Sequence, residues 1–93
     1  MPSTTVNDFD ASAPWKMGEW VSLRDEAFGA LAYHHGTRRL VFLKSLELVA
    51  LVRRLDEFES ADAAIDQLVQ PDQRSRYRRA LGDLVRSEII RGR

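Results

Sequence analysis

From Ala27 to Lys44 the chain reads AFGALAYHHGTRRLVFLK, two apolar stretches parted by a polar turn. Leu40, Val41, Phe42 and Leu43 are consecutive apolar residues. Because successive side chains of a strand point to opposite faces, a strand here presents apolar groups to both sides. One face serves as core. The other needs a cover, and so does the strand's unpaired edge; in a short chain another molecule is the natural source.

Upstream, Trp20 to Arg24 alternates as a half-buried strand does, with Val21 and Leu23 on one face and Trp20, Ser22 and Arg24 on the other. Asp25 and Glu26 read as a polar turn. Phe28 to Tyr33 makes a second strand, although Gly29, Ala30 and Ala32 are weak strand formers and leave a helical reading of that piece open; their small size suggests close approach of another backbone. His34 to Thr37 form the next turn, with Gly36 available for a positive φ, and Arg38 to Leu43 return as the third strand. Three helical patterns follow. Ser45 caps the first, in which Leu48, Val49, Val52 and Leu55, with Leu51 beside them, keep the 3.6-residue period. Ser60 caps the second, with Ala64, Ile65, Leu68 and Val69 inward, and Pro71 bars its continuation. Asp72 is read as the third cap, ahead of a helix with Tyr77, Ala80, Leu81, Leu84 and Val85 on its apolar stripe. The fold class is α+β, a three-stranded antiparallel meander followed by three helices. Residues 1–13 are polar and aperiodic and are expected to be a disordered tail, Phe9 included; residues 14–93 are expected to form the domain.

The 93-residue length supports one domain, and a composition 44% hydrophobic and 30% charged is that of an ordinary globular chain. The net charge is zero but unevenly spread: residues 1–72 carry 7 Lys and Arg against 12 Asp and Glu, whereas residues 73–93 carry 7 against 2. Without cysteine the chain builds no disulfide, thiolate zinc site or iron–sulfur cluster of its own. The start lacks the pattern of a signal peptide and no apolar run reaches the roughly 18 residues of a membrane span, so the expected location is cytoplasmic.

Candidate chemistry is sparse. His34 and His35 are adjacent, so their side chains diverge, and no third ligand is placed beside them; they are read as turn residues rather than a metal site. No nucleophile stands beside a base and no glycine-rich phosphate loop is present, so no catalytic residue is assigned and no cofactor is expected. Asp56, Glu57 and Glu59 are read as a solvated cluster. Arg74, Arg76, Arg78 and Arg79 form a basic run able to grip phosphates or an acidic partner. A winged-helix nucleic-acid binder is therefore the alternative function. A strand meander ahead of the helices is the reverse of the usual order in winged-helix DNA readers, which disfavours it.

WVSLRDEAFGALAYHHGTRRLVFLKS, followed by three short helices ending in LGDLVRSEII, resembles the peptide chaperone family of mycofactocin biosynthesis, itself similar to the PqqD-type proteins. The resemblance spans about residues 15–90, with FGALAYHHGTRRLVFLKS its most specific part. It implies a winged-helix-like, PqqD-type recognition domain that binds the leader of a short ribosomally made precursor and delivers it to a radical S-adenosylmethionine maturase. The maturase holds the iron–sulfur cluster and S-adenosylmethionine. The leader would add as a strand along the third strand and lie against the last helix. The implied peptide-binding residues are Arg38, Arg39, Leu40, Val41, Phe42, Leu43 and Lys44 on the strand and Tyr77, Arg78, Leu81 and Val85 on the helix, some of which must be core instead. The same free edge would let two copies pair as a homodimer.

Overall fold

The computed structural model describes residues 9–93. Three strands, β2 (Val21–Glu26), β3 (Gly29–His34) and β4 (Arg39–Leu43), form an antiparallel sheet in the order β2-β3-β4. Helices α1 (Leu46–Arg54), α2 (Ala61–Leu68) and α3 (Arg74–Arg86) follow. The expected α+β order of meander and helices is present. A second, two-stranded ribbon lies outside it: β1 (Trp15–Met17) pairs antiparallel with β5 (Ile90–Gly92), Trp15 opposite Gly92.

Alternation decides the sheet's two faces. Val21, Leu23, Ala30, Ala32, Val41 and Leu43 turn inward, and of these Ala30, Ala32 and Leu43 have no exposed surface. The alanines that make β3 a poor strand former by propensity are what allow α1 to lie across it. At Gly29 the backbone has φ 151° and a Cβ would collide with the Leu43 carbonyl oxygen, so the end of β4 can lie against the start of β3 only where glycine stands. Leu51 and Val52 from α1, Leu55 from the 3₁₀ turn that follows it, Ile65 from α2, Leu81 from α3 and Ile89 and Ile90 complete the buried core.

Both serine caps form as expected. The Ser45 Oγ accepts from the Leu48 N–H at 3.0 Å, and the Ser60 Oγ from the Ala63 N–H at 3.0 Å. The N-terminus of α2 receives a further cap from residues read as tail. The Ala11 carbonyl accepts from the Asp62 N–H at 2.8 Å and the Ala13 carbonyl from the Ala61 N–H at 3.1 Å, so three of the helix's four orphan donors are satisfied. Asp10 organises this turn. Its carboxylate accepts from the hydroxyl and the N–H of Ser12, bonds that hold its pKa below the ordinary value. Phe9 packs on Trp15, ring centroids 5.2 Å apart, and against Gly82 of α3. Of the stretch read as tail, residues 1–8 lie outside the described residues; Phe9 to Ala13 are docked, because the open end of α2 supplies partners that no periodicity reveals.

Three local readings are corrected. Asp25 and Glu26 belong to β2, and the turn is Ala27–Phe28, since Glu26 pairs directly with Gly29. The positive φ in the second hairpin falls on Arg38, at 66°, and not on Gly36. The reason is His34: its Nδ1 accepts from the N–H groups of Gly36 and Thr37, both at 3.0 Å, and its carbonyl accepts from the Arg38 N–H at 2.8 Å, which places the left-handed residue last in the loop. Asp72 does not cap α3. Pro71 opens a 3₁₀ turn, Pro71–Gln73, that takes up the first turn, and Gln73 occupies the cap position with no side-chain bond.

Ala32→Leu tests whether the small residues of β3 are required. It replaces a poor strand former by a better one yet inserts volume into a filled site, so chemical denaturation should show destabilisation of about 1–3 kcal/mol; an increase in stability would mean that propensity governs that strand.

Candidate functional site

The hydrogen-bond phase of the sheet determines what β4 offers outward. The His35 N–H donates to the Trp20 carbonyl at 2.7 Å, and Val21 pairs with His34. In an antiparallel ladder each residue turns its N–H and carbonyl to the same side, and sides alternate along the strand. Leu31, Tyr33 and His35 therefore bond toward β2, and Ala30, Ala32 and His34 toward β4; the bond from the Arg38 N–H to the His34 carbonyl has this sense. Across the next rung, Arg39, Val41 and Leu43 use their backbone groups on β3. Leu40 and Phe42 turn theirs to the open edge.

The side chains of the same two residues are also uncovered. Leu40 and Phe42 are each 53% exposed, whereas Val41 is half-buried against the core and Leu43 is fully buried. On the outer face Phe42 stands opposite Leu31 and beside Phe28, ring centroids 5.9 Å apart, and Leu40 stands opposite Tyr33. The run of four apolar residues thus divides into two that build the core and two that lie open.

Helix α3 meets the far end of β4. The Tyr77 hydroxyl lies 2.8 Å from the Ser45 Oγ and donates to Glu47 Oε1 at 3.2 Å. A cavity of about 140 Å³ opens there, lined by Lys44, Ser45, Leu48, Arg76, Tyr77 and Ala80. Val85, further along α3, lines a different cavity of about 430 Å³ with Trp20, His34 and Glu88, beside the β1–β5 ribbon. At its rim Glu19 pairs with Arg91 at 2.7 Å, and the Glu19 carboxyl is held below its ordinary pKa by its own backbone N–H first, then by Arg91 and Lys16.

The eleven residues implied as peptide-binding are therefore dispersed. Arg38 sits in the turn, Arg39, Leu40, Phe42 and Lys44 are exposed along β4, and Val41 is at the core margin. Leu43 and Leu81 are wholly core and Tyr77 nearly so. Arg78 points to α2, where its guanidinium donates to Asp62 Oδ1 at 2.8 and 3.1 Å. On the helix side, Arg76 and Ala80 face the end of β4; they are one turn apart, i and i+4, and the sequence placed Arg76 in the basic run and Ala80 on the core stripe instead. Ser45 and Leu48 were read only as cap and core.

The arginine run does not present one basic stripe. Arg74 donates to the carbonyls of Val69 and Asp66, Arg76 to Gln73, and Arg78 to Asp62. The histidines are likewise engaged, His34 in its turn and His35 Nε2 with the Ser22 hydroxyl at 2.7 Å. Among the described residues no group of three metal-ligating side chains gathers, and no helix is long and apolar enough to cross a membrane.

An open strand edge with apolar flanks, backed by a helix-lined cavity, is a surface that suits an extended chain. Residues 14–91 match the model of the peptide chaperone MftB family. The chain belongs to that family. It is similar to the peptide chaperone MftB of Mycolicibacterium smegmatis, 41% identical over 83 residues that cover 88% of this chain and 81% of that one. It is also similar to the protein of the same name from Mycobacterium ulcerans, 36% identical over 88% of this chain and 76% of that one. A third, from Mycobacterium tuberculosis, is 40% identical over 62% of this chain and 53% of that one. No solved structure matches.

Tyr77→Phe keeps the ring and removes the hydroxyl shared by Ser45 and Glu47. Denaturant titration should show a loss of about 1 kcal/mol. Ser45→Ala removes the cap as well and should cost about 0.5–2 kcal/mol; equal stability of Ser45→Ala and the parent would show that the joint contributes nothing.

Proposed function

We propose that this chain binds the leader of a ribosomally made precursor peptide by strand addition along β4 and presents it to a radical S-adenosylmethionine maturase in mycofactocin biosynthesis. The observation that carries the reading is the open edge at Leu40 and Phe42 in a member of a peptide chaperone family. A strand laid there finds N–H and carbonyl groups already extended at the right spacing. Main-chain bonds supply affinity without regard to sequence, and the side chains on either face supply selection.

Each alternate residue of the added strand has a defined surrounding. Residues opposite Leu40 and Phe42 exchange hydrogen bonds with them and project onto the outer face, next to Phe28, Leu31 and Tyr33. Residues opposite Val41 and Leu43 project inward, toward α3. The chain's own role is holding and presenting; modification chemistry belongs to the maturase. The same edge is the surface through which two unliganded copies would pair, so leader and self-association compete for it.

The ladder phase makes the test sharp. The Phe42 N–H has no partner within the sheet, so Phe42→Pro should leave the fold standing and weaken binding of the leader peptide by at least tenfold. Phe42→Ala, which keeps the N–H, should weaken it less. Val41→Pro breaks a bond to β3 and should lower the melting temperature instead. Calorimetric titration beside thermal melts reads all three. Unchanged binding by a folded Phe42→Pro protein would exclude strand addition on β4.

A further inference from the structure

The cavity at the end of β4 has an apolar floor and a cationic rim. Leu48, Tyr77 and Ala80 form the floor, while Lys44 and Arg76 are exposed at its mouth. Among the described residues most arginines pair with a carboxylate, but neither Lys44 nor Arg76 does. Arg76 donates one hydrogen bond, from Nη1 to Gln73 Oε1 at 3.1 Å, which leaves most of its donors free. The nearby carboxylate of Glu47 accepts from the Tyr77 hydroxyl and forms an ion pair with neither cation. Two cations that form no ion pair therefore border a space of about 140 Å³, room for one side chain.

Resting on the strand-addition reading, we propose that this cavity selects an acidic residue of the bound peptide. The ladder phase places it. The peptide residue opposite Leu43 turns inward at the end of β4 where Lys44 and the cavity begin; the one opposite Val41, two positions away, turns inward against half-buried apolar surface. The recognised segment is then an extended peptide with an apolar residue opposite Val41 and Asp or Glu two positions from it. Tyr77 and Leu48 cover the methylene part of that side chain, and Lys44 and Arg76 meet its carboxylate. A lysine or arginine at that position would bring a third cation to the rim, so the cavity also rejects.

A probe that presupposes no leader sequence tests this. The full chain is used to select binders from a randomised dodecapeptide display library. A selected peptide and its Glu→Gln or Asp→Asn counterpart are then titrated against the wild-type protein, the Lys44→Gln/Arg76→Gln double variant and Phe42→Pro. Selected peptides should share an acidic residue two positions from an apolar one. Its neutralisation should weaken binding to the wild type about threefold to thirtyfold at low salt, a difference that shrinks in high salt and vanishes on the double variant. Equal affinity of the acidic and neutral peptides for the wild type, or the same difference persisting on the double variant, overturns the proposal. If Phe42→Pro abolishes binding while acid and amide bind alike, the cavity inference fails alone; if a folded Phe42→Pro protein binds unchanged, strand addition fails with it. A library that yields no binder counts against both.

Discussion

Where β4 ends, one serine hydroxyl is used twice. Ser45 Oγ accepts the Leu48 N–H that starts α1 and lies 2.8 Å from the hydroxyl of Tyr77, which itself comes from α3. Sheet, first helix and last helix are thereby tied at a single point. The angle at which α1 leaves the sheet sets which of its residues reach β3, and the position of Tyr77 sets how far α3 stands from β4. A larger residue at position 45 would separate all three, whereas a residue without a hydroxyl would leave α1 uncapped and Tyr77 with Glu47 alone.

The sheet beside that joint has one crowded face and one bare one. Ala30 and Ala32 accept α1 on the inside; on the outside Leu40 stands opposite Tyr33 and Phe42 opposite Leu31 and beside Phe28, and both are more than half exposed. β4 ends a sheet of three strands, and no element of the described chain continues the ladder beyond it. The three helices are engaged with one another, with the inner face and with the β1–β5 ribbon.

Much of this was legible in the residues because the signals were local. The Ser45 and Ser60 caps, the alternation at Val21 and Leu23, and the apolar run at Leu40 to Leu43 each depend on neighbours within a turn or a strand, and the family likeness lay in the same stretch. What escaped depended on remote partners. Nothing around Phe9 to Ala13 announces that the open end of α2 will take the Ala11 and Ala13 carbonyls as acceptors. The phase of α3 was readable for its core stripe, Tyr77, Leu81 and Leu84, but not for which flank faces β4. Arg78, implied as a groove residue, finds its partner in Asp62 on α2, while Arg76 and Ala80, one turn apart on the other flank, are legible as a basic residue and a stripe residue but not as neighbours of β4. The φ of Arg38 followed from the side chain of His34, a bond no turn propensity encodes.

The ribbon formed by β1 and β5 has a kinetic meaning of its own. It joins Trp15 to Gly92, a separation of 92 − 15 = 77 residues, whereas the whole three-stranded meander closes within residues 21–43. Long closures carry the larger entropy cost and reward it late, so the meander and its hairpins can assemble while the two ends of the chain are still apart. The ribbon's closure is nonetheless part of the core, since Ile90 is buried and Trp15 and Met17 pack against the interior, and it supplies one wall of the larger cavity. The two ends of the described chain thus meet late in assembly but, once met, seal the interior that the meander and helices have already begun.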